Sequence, residues 1–322
     1  MSSSLLHAPS HLPPAVALQH SQQAPNILGR SAGAISSSVF QSLLSAPETA
    51  ELWTVYENLL LSCLRTGDDE AAHQCLGRLV NRFGHDNERI MALKGLLKEA
   101  DADDDATLDV ILKEYDQILQ ENPTNIPILK RRVALLRSTG RISEAVPALI
   151  SLLDISPTDA EAWAELADLY FSQGLYSQTI FALEEVLVLQ PNSWNVHARL
   201  GEVLFVAAKS SDNPSQLAEA LKRFSRSIEL CDDYLRGYYG LKLTAKQLLS
   251  NPPKASSNRT GSEGFAVPDT ATLSKLDEVA TEKLAEIVRR SSAGERGWQG
   301  YDEAEIKAAR ELLENDSDEV IR

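Results

Sequence analysis

The side chains of this chain that could do chemistry are few. Cys63, Cys75 and Cys231 are its three thiols, at spacings that match neither a metal-ligand set nor a redox pair. Asp101, Asp103, Asp104 and Asp105 form an acidic run that could hold a hard cation. A calcium loop also needs a glycine at its sixth position for the sharp turn, and none follows here. The run is therefore expected to be a solvated turn. His197 could act as a base or ligand, but it sits in a repeating pattern where a large packed ring belongs. No Gly-rich phosphate loop, nucleophile elbow, paired-His metal site or Cys/His pair is present. These residues predict no enzyme, no cofactor and no metal. The thiols are expected to pack as small apolar groups in a reducing compartment.

What must position any functional surface is a repeat. Pro123, Pro157 and Pro191 stand 34 residues apart, and the residues between them fall into matching positions. From Ala160, Trp163, Leu166, Ala167 and Tyr170 mark one face of a helix. Gly174 permits a turn, Thr179, Leu183 and Val186 mark a second helix, and Pro191 ends it. The preceding unit offers Leu129, Val133 and Leu136, then Gly140, then Ala145, Leu149 and Leu152. Arg132 stands there where leucine is usual. Thr158 and Glu161 have capping-box spacing. The following unit starts in phase with His197, Leu200, Gly201 and Leu204, and its turn is longer by seven residues before Ala220, Phe224 and Ser227 resume the register.

Degraded units flank this centre. Tyr56, Leu59, Leu60, Cys63, Gly67, Ala72, Leu76 and Leu79 fit the same offsets. A second helix through Ile111, Tyr115 and Ile118 is clear, whereas the helix around Ile90 to Ala100 runs out of phase. Downstream, Tyr238, Leu241 and Ala245 begin another helix that ends near Ser250. The domain reading is a disordered tail over 1–46, a repeat array over 47–250 and a flexible insertion over 251–268. A capping helix over 269–291 and a tail with a short helix over 292–322 complete it. Trp298 and Tyr301 in that tail are expected to pack on the last repeat.

Composition narrows the partners. With a net charge of −15 and 43% hydrophobic residues, the chain can build a core but repels phosphate backbones and anionic membrane surfaces. No run approaches the roughly 18 apolar residues that span a bilayer, so a soluble chain is expected. Residues 1–29 have neither the basic start and apolar stretch of a secretory signal nor the arginines of a transit peptide.

The period and residue order identify the array as tetratricopeptide repeats. The expected fold is all-α, a superhelix of about five to six hairpins. A narrower resemblance follows from the order of several stretches. These are Leu-Gln-Glu-Asn-Pro-Thr-Asn ending at Asn125, the basic cluster Lys130, Arg131 and Arg132, and the acidic helix from Glu161 to Tyr170. Phe181-Ala-Leu-Glu-Glu and Tyr238-Tyr-Gly-Leu-Lys-Leu complete the series. Together they resemble the family of subunit 2 of the ER membrane protein complex, over roughly residues 50 to 250. That resemblance implies a peripheral scaffold on the cytoplasmic face of the endoplasmic reticulum. Its partners would be cytosolic parts of membrane-embedded subunits and a soluble subunit, in a complex that inserts transmembrane helices.

In such arrays the first helix of each hairpin lines an inner wall. The wall positions expected to bind partners are Lys130, Arg137, Glu161, Asp168, Phe171, Asn195, Glu202 and Phe205. The alternative is an adaptor or co-chaperone that captures an acidic C-terminal peptide. In the family that role uses Lys and Asn in one repeat and Lys and Arg in a later one. Here Ala134 follows Lys130, and the next unit presents Glu161 and Glu165, the wrong charge for a carboxylate.

Overall fold

The computed structural model describes residues 3–7, 12–31, 50–211, 213–251, 267–298 and 300–320, all helix, turn or irregular chain. They fall into two compact units, Met1–Ile155 and Ser156–Arg322. The first unit holds α1 (Ser3–Leu6), α2 (Pro14–Ser21), α3 (Ala24–Ser31), α4 (Ala50–Thr66), α5 (Asp69–Phe83), α6 (Glu88–Ala100), α7 (Asp105–Glu121), α8 (Ile126–Ser138) and α9 (Ile142–Ile155). The second holds α10 (Ala160–Ser172), α11 (Tyr176–Leu189), α12 (Trp194–Ser211), α13 (Pro214–Leu230), α14 (Leu235–Ser250), α15 (Thr270–Ser292) and α16 (Glu303–Val320). From α4 to α15 consecutive helices pair as hairpins, and within each unit neighbouring hairpins pack on one another. This is a tetratricopeptide α-solenoid. No described helix is long and apolar enough to cross a membrane.

The proline period is a turn repeated three times. Asn125 N–H bonds the Asn122 carbonyl, Asp159 the Ser156 carbonyl and Ser193 the Gln190 carbonyl, each at 3.2 Å. Each proline is thus the second residue of a four-residue turn, where its fixed φ costs nothing. Two residues after Pro123 and Pro157 come the N-caps. Asn125 Oδ1 accepts from Ile128 N–H at 3.2 Å, and Asp159 Oδ1 accepts from Ala162 N–H at 3.1 Å. The expected Thr158 and Glu161 capping box is therefore corrected. The helix starts at Ala160, so the cap falls on Asp159. Inside the hairpins, Gly140 and Gly174 take φ of 72° and 71°. That left-handed step lets the next N–H reach back five residues, Arg141 to Leu136 at 2.8 Å and Leu175 to Tyr170 at 3.0 Å.

The repeat also fixes a ring. Trp163 Nε1 donates to the Pro157 carbonyl at 2.9 Å, and His197 Nε2 bonds the Pro191 carbonyl at 3.0 Å. Tyr238 holds the same position in its helix and donates through Oη to Asp232 Oδ1 at 3.0 Å. In each case a ring at the fourth helix position ties the helix to the turn six residues back. Arg132, the departure from the leucine pattern, is half-buried because its Nε donates to Asp116 Oδ1 at 2.6 Å.

Part of the stretch expected to be a disordered tail is folded. Leu5, Ala17, Ala24 and Leu28 are buried, with α1 and α2 against α4 and α3 against α5. Asn58 Nδ2 donates to the Leu5 carbonyl at 2.7 Å, and Arg78 bonds both the Leu28 carbonyl and Tyr56 Oη at 2.6 Å. These contacts cover an apolar face that the first hairpin would otherwise expose. Residues 32–49 lie outside the described residues, as does most of the insertion expected over 251–268.

In the second unit α15 runs along α14 as its hairpin partner. The position held by Ala167 and Gly201 in earlier repeats is here Lys242, a buried side chain whose Nζ bonds Asp277 Oδ1 at 3.2 Å and Thr281 Oγ1 at 2.6 Å. Trp298 packs under the Arg290 guanidinium, 4.8 Å from its ring, and Tyr301 Oη donates to the Asp233 carbonyl at 2.8 Å. Both aromatics thus pack on the last hairpin.

Two substitutions test this packing. A Cβ at Gly240 would overlap the Phe224 ring, so Gly240→Ala is expected to lose about 1–3 kcal/mol in urea unfolding. Phe224→Leu in that background should recover part of the loss, and an unchanged midpoint for Gly240→Ala would refute the close approach. Lys242→Met leaves Asp277 facing an apolar group, with an expected loss of about 3 kcal/mol. Adding Asp277→Leu should restore most of it, since a matched apolar pair needs no counter-charge.

Candidate functional site

The wall residues divide between the two units. In the first, α8 carries Lys130, half-buried, and Arg137, exposed. The neighbouring cations of the basic cluster turn inward. Arg131 donates through Nε to Glu99 Oε1 at 3.2 Å, and Tyr115 Oη donates to the same oxygen at 2.5 Å. Arg132 is committed to Asp116. Of that cluster, only Lys130 remains outside these two links to neighbouring helices.

The second unit gathers more of the expected site. Arg199 on α12 joins Asp168, Phe171 and Glu202. Its guanidinium donates to Glu202 Oε2 at 3.1 Å, reaches Asp168 Oδ1 at 3.4 Å, and stacks 4.4 Å from the Phe171 ring centroid. Exposed ion pairs of this kind contribute about 0–1 kcal/mol. Their consequence is geometric, because they hold a cation flat on an aromatic face between adjacent first helices. Arg199 was not among the expected site residues. The signal for it was the register, since the sixth position of one repeat faces the ninth and twelfth of the previous one. Glu161 and Asn195 sit exposed at the starts of α10 and α12, and neither joins the Arg199 cluster.

Glu202 and Phe205 have a second role. They line a cavity of about 320 Å³ with Val206, Tyr239, Leu243 and Ala308. Phe224 forms part of its lining from α13, held where Gly201 and Gly240 lack side chains. Arg236 and Glu305 close one edge through a 2.6 Å bond from Nε to Oε1. Lys209 Nζ lies 4.7 Å from the Phe205 ring centroid. Val206 lies one residue past the last wall position on α12, and Tyr239 and Leu243 belong to α14, where the sequence assigned no wall positions.

The residues first considered for chemistry are in structural roles. Cys63 and Cys75 are fully buried, and burial pushes both thiols up to about 12, helped by Asp68. Asp104 caps α7, accepting from Thr107 N–H at 2.8 Å, and the Thr107 bonds hold its carboxyl below the usual range. His197 is buried. The Pro191 carbonyl can only accept, so Nε2 carries the proton and Nδ1 is left without a partner.

The lineage of the chain can now be read from its relatives. The family described as EMC2 TPR-like repeat domain matches residues 76–220. The TPR repeat protein oca3 of Schizosaccharomyces pombe is 36% identical over 239 residues, covering 72% of this chain and 82% of that protein. ER membrane protein complex subunit 2 of Xenopus tropicalis is 30% identical over 231 residues, 71% of this chain and 74% of that one. The chain belongs to the ER membrane protein complex subunit 2 family. The crystal structure of the C-terminal part of a TPR repeat-containing protein from Cytophaga hutchinsonii superposes with a TM-score of 0.50. It is 12% identical and covers 89% of this chain and 98% of its own, a likeness of fold alone.

His197 gives this family member a testable acid response. Burial holds its pKa below the ordinary 6.5, with Arg223 and Arg226 adding to the depression against the pull of the Pro191 carbonyl. The unfolded chain therefore takes up a proton near that value while the folded chain resists it. Stability should fall as pH drops below about 6.5, by up to about 1.4 kcal/mol per pH unit. His197→Phe should flatten this part of the profile in thermal melts, and an identical slope in both proteins would contradict the assignment.

Proposed function

We propose that the chain is a non-catalytic scaffold subunit of the ER membrane protein complex, held peripherally at the cytoplasmic face of the endoplasmic reticulum membrane. Membership in the family supports this reading. So does the surface of the second unit, where Asp168, Arg199, Glu202, Phe171 and Phe205 form an organised, solvent-reachable array of charges and rings. Such a surface suits an extended or helical segment from another protein. The partners are cytosolic segments of membrane-embedded subunits and a soluble subunit, and holding them together supports the insertion of transmembrane helices. Glu161 and Asn195 extend this face within the second unit, and Lys130 and Arg137 are the partner-binding residues of the first.

The observation that carries the reading is the cluster at Arg199. Two carboxylates share one guanidinium on this wall, which disfavours capture of a carboxylate-tailed peptide and leaves the adaptor role without support. The test is to express the full chain with Asp168→Lys and Glu202→Lys and recover it from a gentle detergent extract. Co-purifying subunits of the complex should drop at least several-fold, with the helical circular dichroism signal unchanged. Undiminished recovery of every partner would remove the wall from the binding surface.

A further inference from the structure

A cavity lies between α12, α14 and α16. Arg236, Tyr239 and Leu243 are spaced along α14 as Asn195, Ala198 and Glu202 are along α12, so they occupy the wall positions of the last hairpin. On that rung the chain supplies its own occupant. Helix α16 packs against α14 and α15, buries Ile306 and Ala309, and is tied down by Arg236 and Glu305. On the adjacent rung Phe205 is half-buried, Val206 is 37% exposed, and about 320 Å³ remains beside Ala308. The fold thus shows one kind of element that this wall accepts.

We propose that a helix from a partner subunit lies beside α16 and inserts one bulky apolar side chain among Phe205, Val206, Tyr239, Leu243 and Ala308. The charges at the rim argue for an apolar anchor. Glu202 is engaged by Arg199, Glu305 by Arg236, and Lys209 lies on the Phe205 ring. A charged tail would have to displace these links, whereas a leucine, phenylalanine or tryptophan side chain needs only the apolar lining. A helix with polar residues on its outer face satisfies its own backbone in such a groove. This inference rests on the scaffold reading and adds to it the chemistry and position of one partner segment.

The test uses the full chain in cells, with a photo-crosslinking phenylalanine analogue at Val206 and a second chain carrying it at exposed Val110. Cross-linked peptides from the purified complex are mapped by mass spectrometry. The expected product joins position 206, but not 110, to one amphipathic helical segment of another subunit with a bulky apolar residue at the link. Ala308→Trp, which fills the cavity from α16, should cut that product at least tenfold. If that variant unfolds, Leu243→Arg, at a half-buried position of the same lining, makes the same test. A link to residues 252–266 of the same chain, or to a second copy, would overturn the proposal, and so would a yield indifferent to both variants. Absence of any cross-link at position 206 of the otherwise unaltered chain, with the complex still assembled, would refute this seat alone, whereas absence of all subunits from the wild-type preparation would refute the scaffold reading.

Discussion

The Phe224 ring sets the spacing on which the second unit depends. It projects from α13 into the place where Gly201 and Gly240 lack side chains, and a Cβ on Gly201 would already come within 3.0 Å of it. Two first helices and the second helix between them therefore meet at one aromatic. Because protein interiors are close-packed, that ring fixes how far α12 and α14 stand apart. Their separation in turn determines the cavity lined by Phe205, Val206 and Leu243. The surface proposed to bind a partner is thus set by the core packing around this ring.

Electrostatics then finish the surface. A chain carrying a net charge of −15 would present a repulsive wall if its carboxylates were left alone. Instead, single cations are shared or committed: Arg199 between Asp168 and Glu202, Arg236 with Glu305, and Arg131 with Glu99 in the first unit. Lys283 shows the same economy, bonding both Asp232 and Asp233. Burial alone would lower the Lys283 pKa, but those carboxylates outweigh it and raise it. Such pairs contribute little to stability individually. They decide which side chains remain able to meet a partner.

The turns were legible because they are local. Pro123, Pro157 and Pro191 read directly as the turns between hairpins, and Gly140 and Gly174 as those within them. Starts of first helices at Ile126, Ala160 and Trp194 keep the 34-residue step, whereas Ala50, Glu88 and Leu235 do not. The expected long turn before Pro214 is corrected: the extra residues lengthen α12 to Ser211 and start α13 at Pro214, and those near Asp105 lengthen α7, so the register shifts without disturbing the stack. A pattern tied to one period therefore faded at both ends, although the hairpins continue. The N-terminal helices were not legible either, since their short, weakly patterned segments are ordered by contacts to Asn58 and Arg78, 53 and 50 positions away.

Residue types and spacing alone determined the all-α repeat, the hairpin turns and the placing of Asp168, Phe171, Glu202 and Phe205 on the first helices of their hairpins. Those features follow from φ preferences and helical periodicity, which act within a few residues. Only the tertiary structure decided that Arg199 binds two of these carboxylates and that Arg131 and Arg132 point inward. It also decided that α16 occupies part of the wall and leaves a cavity beside it. Each of those outcomes depends on which helices lie side by side, and a side chain finds its partner across that contact, not along the chain.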